Sequence, residues 1–248
     1  MHIKNLMAIV LLLLLAPIFP LAAHSLEELQ GQLGDREKYF QPIGKAAPHF
    51  TLEDAKGRAV ALEDLRGKVV VLHFVYTSCP DVCPLHAERI AEIQEMVNRT
   101  PMRELVQFVT ITTDPEHDTP EVMRDYGPAH GLDPANWMFL TSGPDRPEDT
   151  TRKLAERFGH TFSKTEDGYQ IHGVVTHILD RDGRWQANFH GLEFEPTNLV
   201  LYINALTHEH GKEGHPEESW WTRIRNLFRC SQQPTTRRER RRPRGKEG

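Results

Sequence analysis

An apolar run that ends in two closely spaced cysteines constrains the fold of this chain more than any other feature. The run Val69–Tyr76 has the composition of a strand buried on both faces, and Cys79 and Cys83 follow it within one short loop. Apolar side chains then recur at helical spacing over residues 90–97, which predicts a helix directly after the loop. Thiols at a helix N-terminus are favoured as thiolates, because the unpaired N–H groups and the helix dipole stabilise negative charge.

Thiolates in this setting have two main uses. They exchange disulfides, and they bind soft metal ions such as Cu(I), which accepts two or three ligands and prefers thiolate with imidazole. The spacing of Cys79 and Cys83 allows both sulfurs to point at one ion and is one residue longer than in thioredoxin-type redox motifs. A structural disulfide is disfavoured because closing so small a loop removes little chain entropy. Cys230 is remote from the pair, so a thiol peroxidase with a separate resolving cysteine is the weakest interpretation.

Residues 1–23 predict export from the cytoplasm. His2 and Lys4 precede the apolar stretch Leu6–Phe19, and small residues follow it, as in a secretory signal peptide. The alternative is an uncleaved anchor, although the apolar core is shorter than a membrane span needs. We therefore expect the remainder to be periplasmic or attached to the outer face of the inner membrane, where disulfides can persist.

After residue 23, the sequence predicts one domain with a tail at each end. The full chain of 248 residues is 38% hydrophobic and 26% charged, which is typical of a single medium-sized soluble domain. We assign residues 24–45 to a polar linker, 46–208 to the domain and 209–248 to an extension. Within the domain a first hairpin surrounds Gly57, helical and strand patterns then alternate, and a second hairpin surrounds Asp180–Gly183. This order predicts an α/β fold with a central mixed sheet, flanking helices and an N-terminal β-hairpin.

The extension combines a predicted linker, a basic helix and an arginine-rich tail. Aromatic and aliphatic side chains recur at helical spacing among arginines over residues 217–230, which fits either contact with an anionic membrane surface or packing against the domain. The segment 208–215 carries histidines that could collect metal weakly, although a solvated linker is the simpler interpretation. The tail 237–244 is expected to be solvated, and no nucleic-acid partner is expected for an exported protein.

Several segments together resemble the Sco/SenC family of copper-handling assembly factors. Phe74–Pro84 resembles the family's cysteine motif, and Ala47–Phe74 looks like the opening of a thioredoxin-like domain. Thr110–Pro120 is similar to the family's loop after its second central strand, and Trp137–Thr141 to the entry of the next strand. The resemblance covers about residues 45–208 and implies a thioredoxin-like fold.

The resemblance also implies a ligand set and a role. His172 lies eight residues before Asp180, where the family has its copper-binding histidine. The implied protein is an extracytoplasmic copper metallochaperone that binds copper, as Cu(I) and also as Cu(II), through Cys79, Cys83 and His172. It would assist assembly of the dinuclear copper centre of cytochrome c oxidase, by delivering copper or by keeping the cysteines of that centre reduced.

The implied partners are the copper subunit of cytochrome c oxidase, or another copper protein, and a thioredoxin-like reductase. The reductase is needed because copper binding requires both thiols reduced in an oxidising compartment. The alternative function is an enzyme, a periplasmic thiol–disulfide reductase, in which Cys79 and Cys83 form a redox-active pair that acts on the cysteines of copper-protein partners.

The sequence departs from the family pattern beside its predicted ligands. Ile171 precedes His172 where the family usually has aspartate, and Gly173 follows it where a small hydroxyl residue is usual. Ser78 precedes the first cysteine, where histidine or an aromatic residue is common. The ligand set is intact, whereas its tuning by neighbouring groups is expected to differ.

Other polar residues around the motif have structural interpretations. We expect His73 to be a hydrogen-bonded core histidine, because it lies in the central strand, and His177 to be packed within its own strand. Asp114 and Asp118 are expected to shape the loop that faces the cysteines. His86, one helical turn past the second cysteine, is a candidate extra ligand.

Overall fold

The computed structural model describes residues 26–165 and 168–209, and for residues 164, 165 and 168–172 it describes only the backbone. The predicted leader and almost all of the C-terminal extension lie outside these ranges, so what the sequence indicates about them stays a prediction. Among the helices within the ranges, none combines the length and the apolar character needed to cross a bilayer.

Helices and strands alternate along most of the described chain. The helices are α1 (Leu26–Arg36), α2 (Val82–Asn98), α3 (Pro120–Ala129), α4 (Thr150–Arg157) and α5 (Pro196–His208). The strands are β1 (Phe40–Ala46), β2 (Thr51–Asp54), β3 (Ala59–Ala61), β4 (Val69–Val75), β5 (Val106–Thr112), β6 (Trp137–Thr141), β7 (Thr161–Thr165), β8 (Gly168–His172), β9 (Val175–Leu179) and β10 (Arg184–His190). Short 3₁₀ turns occupy Leu62–Leu65 and Pro101–Leu105.

One mixed sheet organises the fold. Its strand order is β1-β10-β9-β4-β5-β6-β2-β3, and β4, β5 and β6 run parallel while the other neighbours pair antiparallel. Strands β7 and β8 form a separate two-stranded hairpin. The predicted α/β class, the N-terminal hairpin β2–β3 and the later hairpin β9–β10 are confirmed.

The central strands are hydrophobic along their whole length because helices cover both faces of the sheet. Every residue of β4 and β5 is buried, as is typical of parallel strands inside an α/β fold. Helices α1, α2, α3 and α5 contribute to the core on one face, and α4 with the turn at Leu62–Leu65 contributes to the core on the other. The cysteine loop leaves the sheet at the carboxyl end of β4 and belongs to the first of these cores.

Most of the segment 24–45, assigned from sequence to a linker, forms α1 and β1 instead. The ring of Phe40 packs on those of Phe189 and Tyr202, each at a centroid separation of 5.3 Å. The buried carboxylate of Glu37 accepts a hydrogen bond from the N-cap residue of α5 (3.0 Å). The linker prediction is wrong because β1 is an edge strand, where exposed polar residues and a proline are tolerated, and its partners come from the far end of the chain.

Candidate metal centre

The cysteine loop is a short connection between the central strand and α2. Strand β4 ends at Val75, the backbone N–H of Cys79 donates to the carbonyl of Tyr76 (3.1 Å), and α2 begins at Val82. Cys83 therefore lies in the first turn of α2, where backbone N–H groups have no partner within the helix. The predicted placement of the pair at a helix N-terminus is confirmed.

Both thiols are buried and neither is in a disulfide. The exposed fractions are 6% for Cys79 and 3% for Cys83, and both side chains belong to the core between the sheet and α2. Each of the two thiols affects the pKa of the other, so the two side chains are near neighbours. The structure thus brings together two of the three ligands predicted from sequence.

Cys79 is the thiol that ionises more readily. Burial alone would raise its pKa, but hydrogen bonds from the backbone of Asp81, the hydroxyl of Tyr76 and both the backbone and thiol of Cys83 outweigh burial. The pKa of the Cys79 thiol is therefore held below its ordinary value. Hydrogen bonds of this kind favour the charged form of an acid because they are made to the anion.

Cys83 behaves in the opposite way. Burial is the main cause that raises the pKa of its thiol to about 12, and a backbone hydrogen bond from Tyr76 only partly offsets this. The neighbouring charges of Cys79 and Asp118 raise the pKa further, because two negative groups at close range disfavour each other. Cys79 is consequently the first of the two thiols to ionise, and Cys83 keeps its proton to much higher pH.

Two tyrosines border the pair, and no local sequence signal indicates that Tyr126 is one of them. The hydroxyl of Tyr126, on α3, donates to the carbonyl of Cys83 (3.2 Å), while Tyr76 donates to the sulfur of Cys79. Burial raises the pKa of both phenols, so each stays a neutral donor. Their apolar rings also help to exclude water from the sulfurs.

Asp118 fixes the cysteine loop against the neighbouring strand. Its buried carboxylate accepts hydrogen bonds from the backbone N–H (3.3 Å) and the hydroxyl of Thr77, and from the hydroxyl of Thr112 at the end of β5. The carboxylate of Asp114 instead contacts the exposed imidazole of His117, with 2.9 Å between Oδ1 and Nδ1. The backbone carbonyl of Asp114 accepts hydrogen bonds from the N–H groups of His117 and Asp118, which form a turn in this loop. The predicted loop-shaping role is confirmed most clearly for Asp118, whose pKa is raised by burial.

His172 is the last residue of β8. Its backbone pairs with Thr161, the first residue of β7, and Gly173 follows with φ of 87°. The side chain of His172 lies outside the described residues, so its role as a ligand stays a prediction. The positive φ of Gly173 accounts for the glycine in place of the family's usual hydroxyl residue.

The other histidines singled out from sequence are core residues. His73 is fully buried, its Nε2 is 3.2 Å from the hydroxyl of Thr110, and burial lowers its pKa to about 3. The Nε2 atom of His86 is 2.9 Å from the hydroxyl of Thr176, and burial lowers the pKa of this ring well below its ordinary value. His73 is confirmed as a hydrogen-bonded core residue, and His86 has the same character rather than that of an extra ligand.

Residues 40–208 match the family model described as SCO1/SenC. The chain belongs to the SCO1/SenC family. A SCO2-like protein of Rickettsia prowazekii is 31% identical to it over 143 residues, which are 57% of this chain and 67% of the relative.

Two solved structures show the same SCO1/SenC fold. A SCO1/SenC family lipoprotein from Bacillus anthracis is 25% identical, with a TM-score of 0.60 over 67% of this chain and 97% of that one. Bradyrhizobium japonicum ScoI with copper bound is 27% identical, with a TM-score of 0.52 over 65% of this chain and 99% of that one. The mixed sheet described above is therefore the thioredoxin-like fold that the resemblance implied.

The donors of this SCO1/SenC member suit a soft metal ion. Two neighbouring sulfurs, one of them with a lowered pKa, lie in a site largely shielded from water, and soft thiolate ligands select ions such as Cu(I). In the part of the chain that the structure describes, no group of three or more His, Cys, Asp or Glu side chains is arranged to hold a metal. Cys79 and Cys83 are thus a two-sulfur set to which His172 is the predicted addition.

Proposed function

We propose that this chain is an extracytoplasmic copper metallochaperone that assists assembly of the dinuclear copper site of cytochrome c oxidase. The observation that carries the proposal is the pair of buried, reduced thiols at the N-terminus of α2, of which Cys79 has a lowered pKa and Cys83 a raised one. Membership of the SCO1/SenC family and the copper-bound form of B. japonicum ScoI support copper as the cargo. The oxidase is the recipient that the family resemblance implies.

The three ligands have different tasks in this proposal. Cys79 has the lower pKa and supplies the first sulfur, whereas burial opposes loss of the proton that Cys83 must give up when the metal binds, because only thiolate is a strong ligand. His172 adds an imidazole nitrogen that completes a three-ligand site. A site with so few ligands can pass its ion to a recipient without first being dismantled.

Anaerobic competition titration with Cu(I) tests the proposal. We expect the reduced full chain to bind one equivalent, and Cys79→Ser or Cys83→Ser to weaken binding by more than about hundredfold, since loss of mere outer-shell partners costs up to that much. Cys230→Ser is the matched control for thiol loss and should leave affinity unchanged. Equal affinity of the wild type and both motif variants would exclude the metallochaperone function.

The alternative function, a periplasmic thiol–disulfide reductase, is favoured by one observation. A thiol with lowered pKa beside one with raised pKa is the arrangement of an attacking and a resolving cysteine. The two functions separate at His172, which the reductase does not need. If His172→Ala supports oxidase assembly in cells as well as the wild type while Cys79→Ser fails, the reductase function is preferred.

A thioredoxin-like reductase partner follows from the same proposal. Copper can bind only when Cys79 and Cys83 are both reduced, and the expected compartment is oxidising. Thiol trapping in cells that lack extracytoplasmic reductases should show the pair largely oxidised. A fully reduced pair in those cells would mean that no such partner is required.

The proposed location is the periplasm or the outer face of the inner membrane. The B. anthracis relative is a lipoprotein, which supports a membrane-associated place of action for this family member. Residues 217–230 are proposed to add contact with an anionic membrane surface through aromatic and arginine side chains. Flotation with phosphatidylglycerol vesicles should retain the full chain in a salt-sensitive way, and a chain truncated after His208 should be lost from the vesicles but bind Cu(I) unchanged.

A further inference from the structure

A buried hydrogen bond between two histidines lies at the base of the hairpin that carries His172. The Nε2 atoms of His160 and His177 are 2.9 Å apart, although the residues are separated by 17 positions in sequence. His160 directly precedes β7, and His177 lies in the middle of β9. The bond therefore joins the two ends of the chain segment that forms β7 and β8.

The hydrogen-bond partners fix which nitrogen carries the proton. The indole of Trp185 donates to Oδ1 of Asn188 (2.8 Å), so this oxygen is an acceptor, and Nδ1 of His177 must also donate to it (2.8 Å). A neutral His177 then has an unprotonated Nε2, which accepts a hydrogen bond from Nε2–H of His160. Burial lowers the pKa of His177 well below its ordinary value, in keeping with a neutral ring.

Aromatic packing holds both rings in place. The ring of Phe74, on β4, contacts His160 and His177 at centroid separations of 5.1 Å and 5.9 Å, and Phe158 contacts His177 at 4.9 Å. Both histidines are buried in this core. They lie on the opposite face of the sheet from the cysteines, so they cannot be ligands of the same ion.

The same bond connects the hairpin to the strand that leads to the cysteines. In β9, His177 pairs with Leu72 of β4, and β4 continues into the loop with Cys79. On the hairpin side, Thr161 follows His160 and pairs with His172. His172, the predicted imidazole ligand, is thus connected to the strand that precedes the cysteines by backbone pairing and by the His160–His177 hydrogen bond.

We propose that His160 and His177 are positioning residues that fix the β7–β8 hairpin, and with it His172, relative to the cysteine loop. This inference rests on the proposed function only for the role of His172. The fixing of the hairpin itself can be measured without copper, so the positioning role and the proposed copper function can fail separately.

The test compares two substitutions at His160 in the reduced, copper-free full chain. His160→Phe keeps a ring of similar size and removes the donor, whereas His160→Gln keeps an N–H donor at the position of Nε2. Amide hydrogen exchange over residues 161–172 should become about tenfold faster in the phenylalanine variant, as expected for loss of one buried hydrogen bond, and should stay within about twofold of wild type in the glutamine variant.

A control separates this effect from general destabilisation. Gln94 is a buried polar residue of α2 whose hydrogen bonds go to Asp133 and Asn136, away from the hairpin. Gln94→Met should leave exchange over residues 161–172 within about twofold of wild type. Unchanged exchange in His160→Phe, or an equal increase in that variant across the hairpin and the central strands, would overturn the inference.

Copper provides a second readout. With Cu(II) bound, His160→Phe should release the ion about tenfold faster and weaken the nitrogen coupling in the electron paramagnetic resonance spectrum, while His160→Gln restores both. If His172→Ala leaves copper binding and spectra unchanged, the proposed ligand role of His172 fails, and the exchange result alone then decides whether the histidine pair fixes the hairpin. If His172→Ala changes the spectrum and His160→Phe does not, only the positioning role is overturned.

Discussion

The carboxylate of Asp118 accepts hydrogen bonds from both the backbone N–H and the hydroxyl of Thr77, two residues before the first cysteine. The same carboxylate accepts a hydrogen bond from Thr112 at the end of β5. One buried side chain therefore sets the distance between the cysteine loop and the adjacent strand. Because the loop has no regular secondary structure of its own, its shape depends on this contact.

Replacing Asp118 should destabilise the fold at the cysteine loop. Asp118→Ala leaves the N–H of Thr77 and two threonine hydroxyls without their acceptor, which we expect to lower the free energy of unfolding by about 1–3 kcal/mol. Asp114→Ala is the matched control, because that carboxylate is partly exposed and bonds the exposed His117, and it should change stability by less than about 0.5 kcal/mol. Urea denaturation of both variants gives the comparison, and equal stabilities would contradict the assigned role.

The two thiols should be alkylated in a fixed order as the pH rises. In a Cys230→Ser background, the Cys83→Ser variant keeps Cys79 as its single cysteine, and the Cys79→Ser variant keeps Cys83. Since the thiolate is the reactive form, the iodoacetamide rate of Cys79 should rise at lower pH than that of an ordinary cysteine, and the rate of Cys83 only at higher pH. Coincident profiles, or the reverse order, would show that the described hydrogen bonds do not control ionisation.

Glycine is needed after His172 for a conformational reason. Gly173 has φ of 87°, and a side chain there would meet no heavy atom closer than 4.0 Å, so strain rather than crowding opposes substitution. Gly173→Thr should lower the free energy of unfolding by about 1–2 kcal/mol. Gly34→Ala, in helix α1 with open space and no positive φ, should instead be neutral or stabilising by up to about 1 kcal/mol. Thermal unfolding that ranks the two variants the other way would contradict the backbone assignment.

Acid should destabilise the protein partly through His73. Burial lowers the pKa of this ring from 6.5 to about 3, so between these values the unfolded chain binds more protons than the folded one. The stability contributed by His73 is therefore complete above about pH 6.5 and declines by up to about 1.4 kcal/mol per pH unit as the pH falls toward 3.

His73→Phe removes this titration and keeps a ring in the core. Urea denaturation at pH 7 and pH 5.5 should show a smaller loss of stability in the variant than in the wild type. Parallel losses in the two proteins would mean that His73 is not neutral in the folded state.

Local sequence patterns predicted much of the fold and of the cysteine site. The strand over residues 69–75 and the helix after the cysteine loop each depend on a few consecutive residues, and the structure confirms both. Helix α1 and strand β1 were missed because their stability comes from contacts with β10 and α5 near the other end of the domain.

The finer organisation of the site depends on pairs of residues far apart in sequence. Asp118 and Thr77 are 41 positions apart, and Tyr126 reaches a cysteine carbonyl 43 positions away. Neither pair has a periodic or local signature, because the contacts arise only when α3 and the cysteine loop meet at the end of the sheet. The unequal pKa values of the two thiols also follow from tertiary contacts, so the cysteine motif alone does not predict them.

X-ray absorption at the copper edge tests the ligand set most directly. The reduced full chain loaded anaerobically with one equivalent of Cu(I) should show two sulfur neighbours and one nitrogen, and His172→Ala should lose the nitrogen while keeping both sulfurs. Sulfur signals that persist in a Cys79→Ser, Cys83→Ser double variant, or a nitrogen signal unaffected by His172→Ala, would contradict the assignment of these three residues as the copper ligands.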